Sequence, residues 1–411
     1  MSAGVLVVLR GERELALVGA IEASPTLTVV RRCADSAELL AAALAGLGSV
    51  AVLDAEVDPD RSLVARLAAS GVRTVILCGS AEVARFASMG ALALEDASPV
   101  DQVVRTMAEA AQLPPTVEDT AEIALPQPVP DRAPGSMLAV WGPHGSPGRT
   151  TIALNMASEL AAASYRTLII DADIWGAAVA SCLGLISESA GLAAAVRAAD
   201  QGTLTSEKLA RLCLPVTDHL LVLPGLPRPA RWREVSGVGI DEVWAQARQL
   251  ADWVVVDLPT WVPEDEGGGL AMGPQRNDIH LSAMAQADCN VAVGAAEPVA
   301  IQRLVSALLD AEERGAATGA RRVVVNRIRS EAAGPRPVES VREALHRFAG
   351  IAGIDTVPDD RSACDRAALV GASLTEIAPR SPAREAILAI AQEVVGQPRR
   401  RWRRRWRRSQ R

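Results

Sequence analysis

Ten consecutive residues, Gly142-Pro143-His144-Gly145-Ser146-Pro147-Gly148-Arg149-Thr150-Thr151, have the types and spacing needed to hold a phosphate. Gly145 and Gly148 allow a backbone to approach a ligand closely and to turn amide N–H groups toward an anion. Thr150 is placed to offer its hydroxyl to a divalent cation bound with that anion, and Ser146 and Thr151 belong to the same cradle. Arg149 stands where the pattern G-x-x-x-x-G-K-[ST] has lysine. It keeps the charge, but a planar fork does not reach the same oxygens as a compact ammonium. Pro143 replaces the first glycine of the pattern, and Pro147 removes an amide donor. If that amide would have met a phosphate, the lost charge-assisted bond costs about 1.5–3 kcal/mol. Taken alone, the loop can also be read as a plain glycine/proline turn.

The elements around it favour the phosphate. Met137-Leu138-Ala139-Val140 is an apolar strand, and Ala153, Met156, Ala157 and Leu160 recur at i, i+3, i+4, i+7, one buried helix face. Strand, loop and helix in that order aim a helix N-terminus at an anion. Arg166 to Ile170 is a second apolar strand, ending in Asp171-Ala172-Asp173. Trp253 to Val256 is a third, ending in Asp257-Leu258-Pro259. Strands apolar on both faces belong in a parallel sheet covered by helices. Carboxylates at their C-terminal ends lie where such sheets bind ligands. Further strands, Asn290 to Val293 and Arg322 to Val325, alternate with helices such as the one carrying Ile301, Leu304, Val305 and Leu308. The expected fold is α/β, with a doubly wound, mostly parallel sheet.

Six motifs in order, the loop, Asp171-Ala172-Asp173, Leu223-Pro224-Gly225, Asp257-Leu258-Pro259, Val325-Asn326-Arg327 and Val357-Pro358-Asp359-Asp360, resemble the MinD/ParA superfamily of P-loop ATPases with a deviant Walker A loop, over about residues 136–396. The resemblance implies ATP and Mg²⁺ as cofactors. It implies that Thr150, Asp171 and Asp257 serve the metal, that Asp173 orients the attacking water with Arg149 as the catalytic cation, and that Asn326 bonds the adenine with Pro358 and Asp359 beside it. It also implies a nucleotide-dependent homodimer, in which a second, signature lysine reaches the partner's phosphates. Here that position is His144, and a neutral imidazole donates one hydrogen bond and no full charge. Slow hydrolysis and a weakened dimer are therefore expected. The chain has a single lysine, Lys208, so drift in composition accounts for Arg149 but not for His144 or the two prolines.

At 411 residues and 49% apolar content, the chain exceeds one typical domain. Residues 1–111 read as a smaller α/β domain with strands Val5 to Leu9, Leu27 to Val30, Val50 to Leu53, Thr74 to Cys78 and Ala91 to Leu94, and with helices at Ser36 to Leu44 and Arg61 to Ala69. It resembles a flavodoxin-like receiver domain, with Asp54 at the position of the phosphorylated aspartate. A receiver needs an acidic pair after its first strand and a lysine after its fifth. Here Arg10-Gly11-Glu12 and Glu95-Asp96 stand there instead, so phosphoryl transfer to Asp54 lacks electrostatic help. A pseudo-receiver that docks protein partners is expected. Residues 112–135, rich in proline and acids, read as a partly stiff linker. Trp261 to Ile279, with Gly267-Gly268-Gly269, reads as a switch segment or a solvent loop. The cysteines at 33, 78, 182, 213, 289 and 364 form no C-x-x-C pair, which suits a reducing cytosol. No apolar run is long enough to span a bilayer, and no signal peptide is evident, so a cytoplasmic protein is expected.

Residues 397–411 are a basic tail with nine arginines; without it the formal charge of −7 for the chain becomes −16. On a helix Trp402 and Trp406 would share a face, flanked by Arg401 and Arg405. Indoles among arginines suit an anionic membrane surface, where each basic residue contributes about 1 kcal/mol. Nucleic acid is the main competitor, since arginine also pairs phosphates and stacks on bases, and a solvated tail is the third reading. Together the two domains resemble the CpaE/TadZ branch, which positions pilus or secretion machinery, and related septum-site proteins. The implied role is a spatial organiser peripheral to the inner face of the membrane. A nucleotide-free scaffold and a ParA-like DNA-partition ATPase are the alternatives.

Overall fold

The computed structural model describes residues 2–57, 59–112, 134–145, 147–185, 190–235, 237–262, 277–316 and 319–396. Ser146, most of the 112–135 linker, residues 263–276 of the glycine-rich loop, and the tail with Arg401, Trp402, Arg405 and Trp406 lie outside the described residues. The chain divides into two compact units, one built chiefly from Met1–Asp131 and the other from Arg132–Arg197 with Leu204–Arg411.

The first unit holds β1 (Ala3–Val8), β2 (Leu27–Arg32), β3 (Val50–Asp54), β4 (Arg73–Cys78) and β5 (Leu92–Glu95), all parallel in the order β2-β1-β3-β4-β5. The central strands are apolar on both faces because both are covered. Val50, Val52, Val75 and Leu77 pack with Leu17, Val103 and Met107 on one side. Ala51 and Leu53 pack with Leu39, Leu40 and Leu67 on the other. Asp35 and Asp60 cap the helices Ser36–Leu44 and Arg61–Ala69, accepting from the amides of Glu38 (2.8 Å) and Leu63 (2.7 Å), each cap contributing about 1 kcal/mol. This strand order is the flavodoxin-like one.

The second unit holds β6 (Ser136–Pro143), β7 (Thr167–Asp171), β8 (Leu214–Thr217), β9 (Leu220–Leu223), β10 (Trp253–Trp261), β11 (Cys289–Ala295), β12 (Ala320–Ile328) and β13 (Asp355–Pro358). They form one sheet in the order β13-β12-β11-β6-β10-β7-β9-β8, parallel except for the edge pair β8 and β9. The order departs in both directions from β6, so the C-terminal end of β6 is the crevice where such sheets take ligands. Below it runs the helix Arg149–Ala162, whose Ile152, Met156, Ala157 and Leu160 pack on Leu138, Val140, Ile169 and Val255. The expected single buried face is an underestimate. Nearly the whole helix is buried, because the C-terminal helix Pro382–Val394 covers its other side with Ile387 and Ile390. Gly142 allows the end of β6 to press on β11, since a Cβ there would lie 2.3 Å from the Val293 carbonyl oxygen. No described helix is long and apolar enough to cross a membrane.

Candidate nucleotide-binding site

The loop after β6 is shaped by two left-handed glycines, Gly145 (φ +104°) and Gly148 (φ +96°), the latter capping the helix Arg149–Ala162. A Cβ on Gly148 would stand 2.3 Å from Asn326 Nδ2, and one on Gly145 would stand 2.6 Å from Arg303 Nη1. Only glycine fits both places. Thr150 and Thr151 sit in the first helical turn, where backbone N–H groups lack intrahelical partners and the helix dipole favours an anion. His144 is exposed at the rim, and Pro147 is buried beneath the loop.

Facing that helix end are the strand-end carboxylates. Asp171 and Asp257 are register partners on β7 and β10, each 1% exposed. Asp171 accepts from the backbone amides of Asp173 (3.3 Å) and Val179 (2.9 Å). Burial pushes its pKa up to about 7 in spite of those bonds. Asp257 is held higher than an ordinary carboxyl, first by burial and then by the charge of Asp171. The Thr150 hydroxyl and the Arg149 charge beside it favour ionisation and only partly offset this. Neither Asp257 oxygen has a partner with hydrogen-bond geometry. A buried carboxylate accepting nothing is costly, and a divalent cation relieves it. The residues therefore fit Mg²⁺: Thr150 and Asp257 would hold it and Asp171 would support it, with the ion neutralising phosphate charge. Among the described residues no three His, Cys, Asp or Glu side chains form a metal cage of their own. That is the usual situation for Mg²⁺ bound together with substrate phosphates.

Arg149 is turned inward. Its Nε donates to the Leu258 carbonyl (3.2 Å), its Nη1 donates to the Pro143 carbonyl (3.0 Å), and its Nη2 lies 3.6 Å from Asp173 Oδ2. The guanidinium thus ties the loop to β10. Asp173 is fixed at its other oxygen, which accepts from the amides of Trp175 and Gly176, both at 3.0 Å. Asn326, at the end of β12, donates through Nδ2 to the Pro147 carbonyl (3.0 Å) and accepts through Oδ1 from the amide of Arg327 (2.9 Å), whose φ is +58°. One of the two donors of its amide nitrogen thus meets the loop. Pro358 and Asp359 lie one strand over; Asp359 pairs with Arg329 (3.4 Å), which also pairs with Glu297 (2.7 Å).

His280 belongs to this site and went unread in the sequence. It is fully buried, with Nε2 3.0 Å from the Pro259 carbonyl, and burial lowers its pKa to about 4. The ring is therefore neutral, donating from Nε2. It stands edge-on to Trp261 (5.4 Å between ring centroids), which in turn meets Trp141 (5.6 Å). A lone histidine in a helix gave no signal of this. In the first unit, Asp54 ends β3 and accepts from the Glu56 amide (3.4 Å). Arg13 pairs with Asp96 (3.3 Å), so a basic group follows β1 and an acidic one follows β5.

Comparison with known proteins gives the family and the fold. Residues 138–369 match the family described as the CobQ/CobB/MinD/ParA nucleotide binding domain. An uncharacterized ATP-binding protein of Methanocaldococcus jannaschii is 24% identical over 261 residues, 63% of this chain and 87% of that protein. The solved structure of the septum site-determining protein MinD from Pyrococcus horikoshii, complexed with Mg-ADP, shares the fold at 18% identity and a TM-score of 0.50, over 63% of this chain and 96% of that one. So does a ParA family ATPase from Chlorobium tepidum, at 16% identity and a TM-score of 0.52, over 62% and 98%. The matched region spans more than half of the sequence, and the chain belongs to the CobQ/CobB/MinD/ParA nucleotide-binding family.

Proposed function

We propose that the chain is an ATP-binding spatial organiser of the MinD/ParA type that works at the cytoplasmic surface of a membrane, positions pilus, secretion or septum-site machinery, and hydrolyses ATP slowly. Its nucleotide core rests on one observation: the unpartnered buried carboxylate of Asp257, beside Asp171 and Thr150, at the mouth of a glycine loop that a Cβ would fill. Mg²⁺ ATP answers that arrangement. The loop from Gly145 through Ser146 and Gly148 to Thr151 receives the phosphates, and Asp173 orients the attacking water. Hydrolysis is slow because Asp173 is held by two amides and by Arg149. In this reading residues 1–111 form a receiver-like unit that docks protein partners, 112–135 a linker, 136–396 the nucleotide domain, which dimerises when loaded, and 397–411 a basic membrane-surface contact.

Titration calorimetry of the intact chain with Mg²⁺ ATP tests the core. Heat of binding is expected, weakened at least tenfold in Asp257→Ala. A nucleotide-independent scaffold on the same fold is the second reading, favoured by the inward Arg149 and by the Asn326 bond to Pro147, which together tie the loop down without a ligand. No heat from the native chain would select it.

A further inference from the structure

The loop has lost both lysines of its pattern, yet a second guanidinium leans over it. Helix Pro298–Glu313 follows β11 and packs closely on it at Gly294, where a Cβ would lie 2.4 Å from Leu304 Cδ2. That approach brings the neighbouring Arg303 to the phosphate loop, with Nη1 2.6 Å from the place a Cβ on Gly145 would occupy. Arg303 is partly buried and makes no hydrogen bond or ion pair among the described residues. Arg149, by contrast, directs all three guanidinium nitrogens at Pro143, Leu258 and Asp173. A cation without a counter-charge, at the lip of a cradle of amides, is arranged for an incoming anion.

We propose that Arg303 is a phosphate-binding residue of this site, contacting the polyphosphate of a nucleoside di- or triphosphate from within the same chain and supplying the charge that Arg149 directs elsewhere and His144 lacks. This rests on the nucleotide-binding reading above. Gly145 then has a second task, since any side chain there would push the guanidinium away from the loop.

The test is titration of the full-length chain with Mg²⁺ ATP for the native protein, Arg303→Gln and Arg303→Lys, with the melting temperature of each nucleotide-free protein measured alongside. The glutamine keeps the start of the aliphatic stem and a polar end but removes the charge and is shorter, while the lysine restores the charge and most of the reach. Arg303→Gln is expected to bind at least tenfold more weakly at an unchanged melting temperature, and Arg303→Lys to recover part of the loss. If the native chain binds and Arg303→Gln binds within twofold of it, this assignment is overturned while the nucleotide-binding reading stands. If the native chain does not bind, both fall together. A loss shared equally by Gln and Lys, with a lowered melting temperature, would make Arg303 a packing residue and also overturn the assignment.

Discussion

Asp171 and Asp257 place two carboxyl groups side by side at full burial, an arrangement that favours ligand binding at the expense of stability. The pKa of Asp171 rises from 3.8 to about 7 on folding. Between those values the folded chain holds a proton that the unfolded chain has released. The stability that this group contributes is therefore full below about pH 4 and is lost as pH rises through 7. Glu159, also raised to about 7, acts in the same direction. The melting temperature of the metal-free protein is expected to drop between pH 4.5 and 7.5, and Asp171→Asn should flatten part of that slope. Mg²⁺ nucleotide should flatten it as well, by stabilising the ionised carboxylates. Asp257→Asn removes a carboxyl whose ionisation burial opposes, so it should raise the melting temperature of the empty protein by a few degrees, roughly 1–2 kcal/mol, while lowering nucleotide affinity at least tenfold. A lower melting temperature for that variant would mean that Asp257 serves the fold rather than the ligand.

The loop helix is anchored from the far end of the sequence. Arg384, on Pro382–Val394, donates through Nε and Nη2 to the two Glu159 oxygens, the second at 3.0 Å, and Thr375 donates to Glu159 at 2.9 Å. Asn155 accepts from the Leu374 amide and donates to the Thr151 carbonyl, both at 2.8 Å. Arg384→Met would strand a wholly buried Glu159 and is expected to cost about 3–5 kcal/mol in urea unfolding, whereas Glu159→Leu with Arg384→Met should recover most of the loss. None of this seam is legible in the sequence, where Glu159 reads as an ordinary polar position on an amphipathic helix. The strands were legible, because burial on both faces writes continuous apolar runs. Their ends were not. The run Trp253 to Val256, ending in Asp257-Leu258-Pro259, extends further in the fold: the chain passes an irregularity between Asp257 and Thr260 and resumes pairing with β6 as far as Trp261. The edge hairpin of β8 and β9 carries little local signal in the sequence beyond Pro215. In the site, the carboxylates were readable because strand ends fix their place. The inward turn of Arg149 was not, because the Leu258 carbonyl that receives it comes from a distant strand. Arg303 and His280 belong to no local pattern and reach the site only through packing.

At the scale of the whole molecule, charge separates the body from its tip. Without residues 397–411 the chain carries a formal −16, which an anionic bilayer repels; the nine arginines of the tail, with Trp402 and Trp406 among them, are the concentrated opposite. In the proposed membrane reading, attachment therefore runs through the tail. The intact chain is expected to co-sediment with vesicles containing anionic lipid and to stay in solution with neutral vesicles, and a chain ending at Gln397 should be lost from both. Screening supplies the second check: raising the salt from about 0.05 to 0.3 M shortens the reach of the arginines and should release most of the bound protein, leaving the fraction held by indole burial. Equal sedimentation with and without the tail would rule out this attachment. If duplex DNA instead binds the intact chain with a steep negative salt slope and the truncated chain not at all, the tail is a nucleic-acid contact, and a partition role replaces the membrane one.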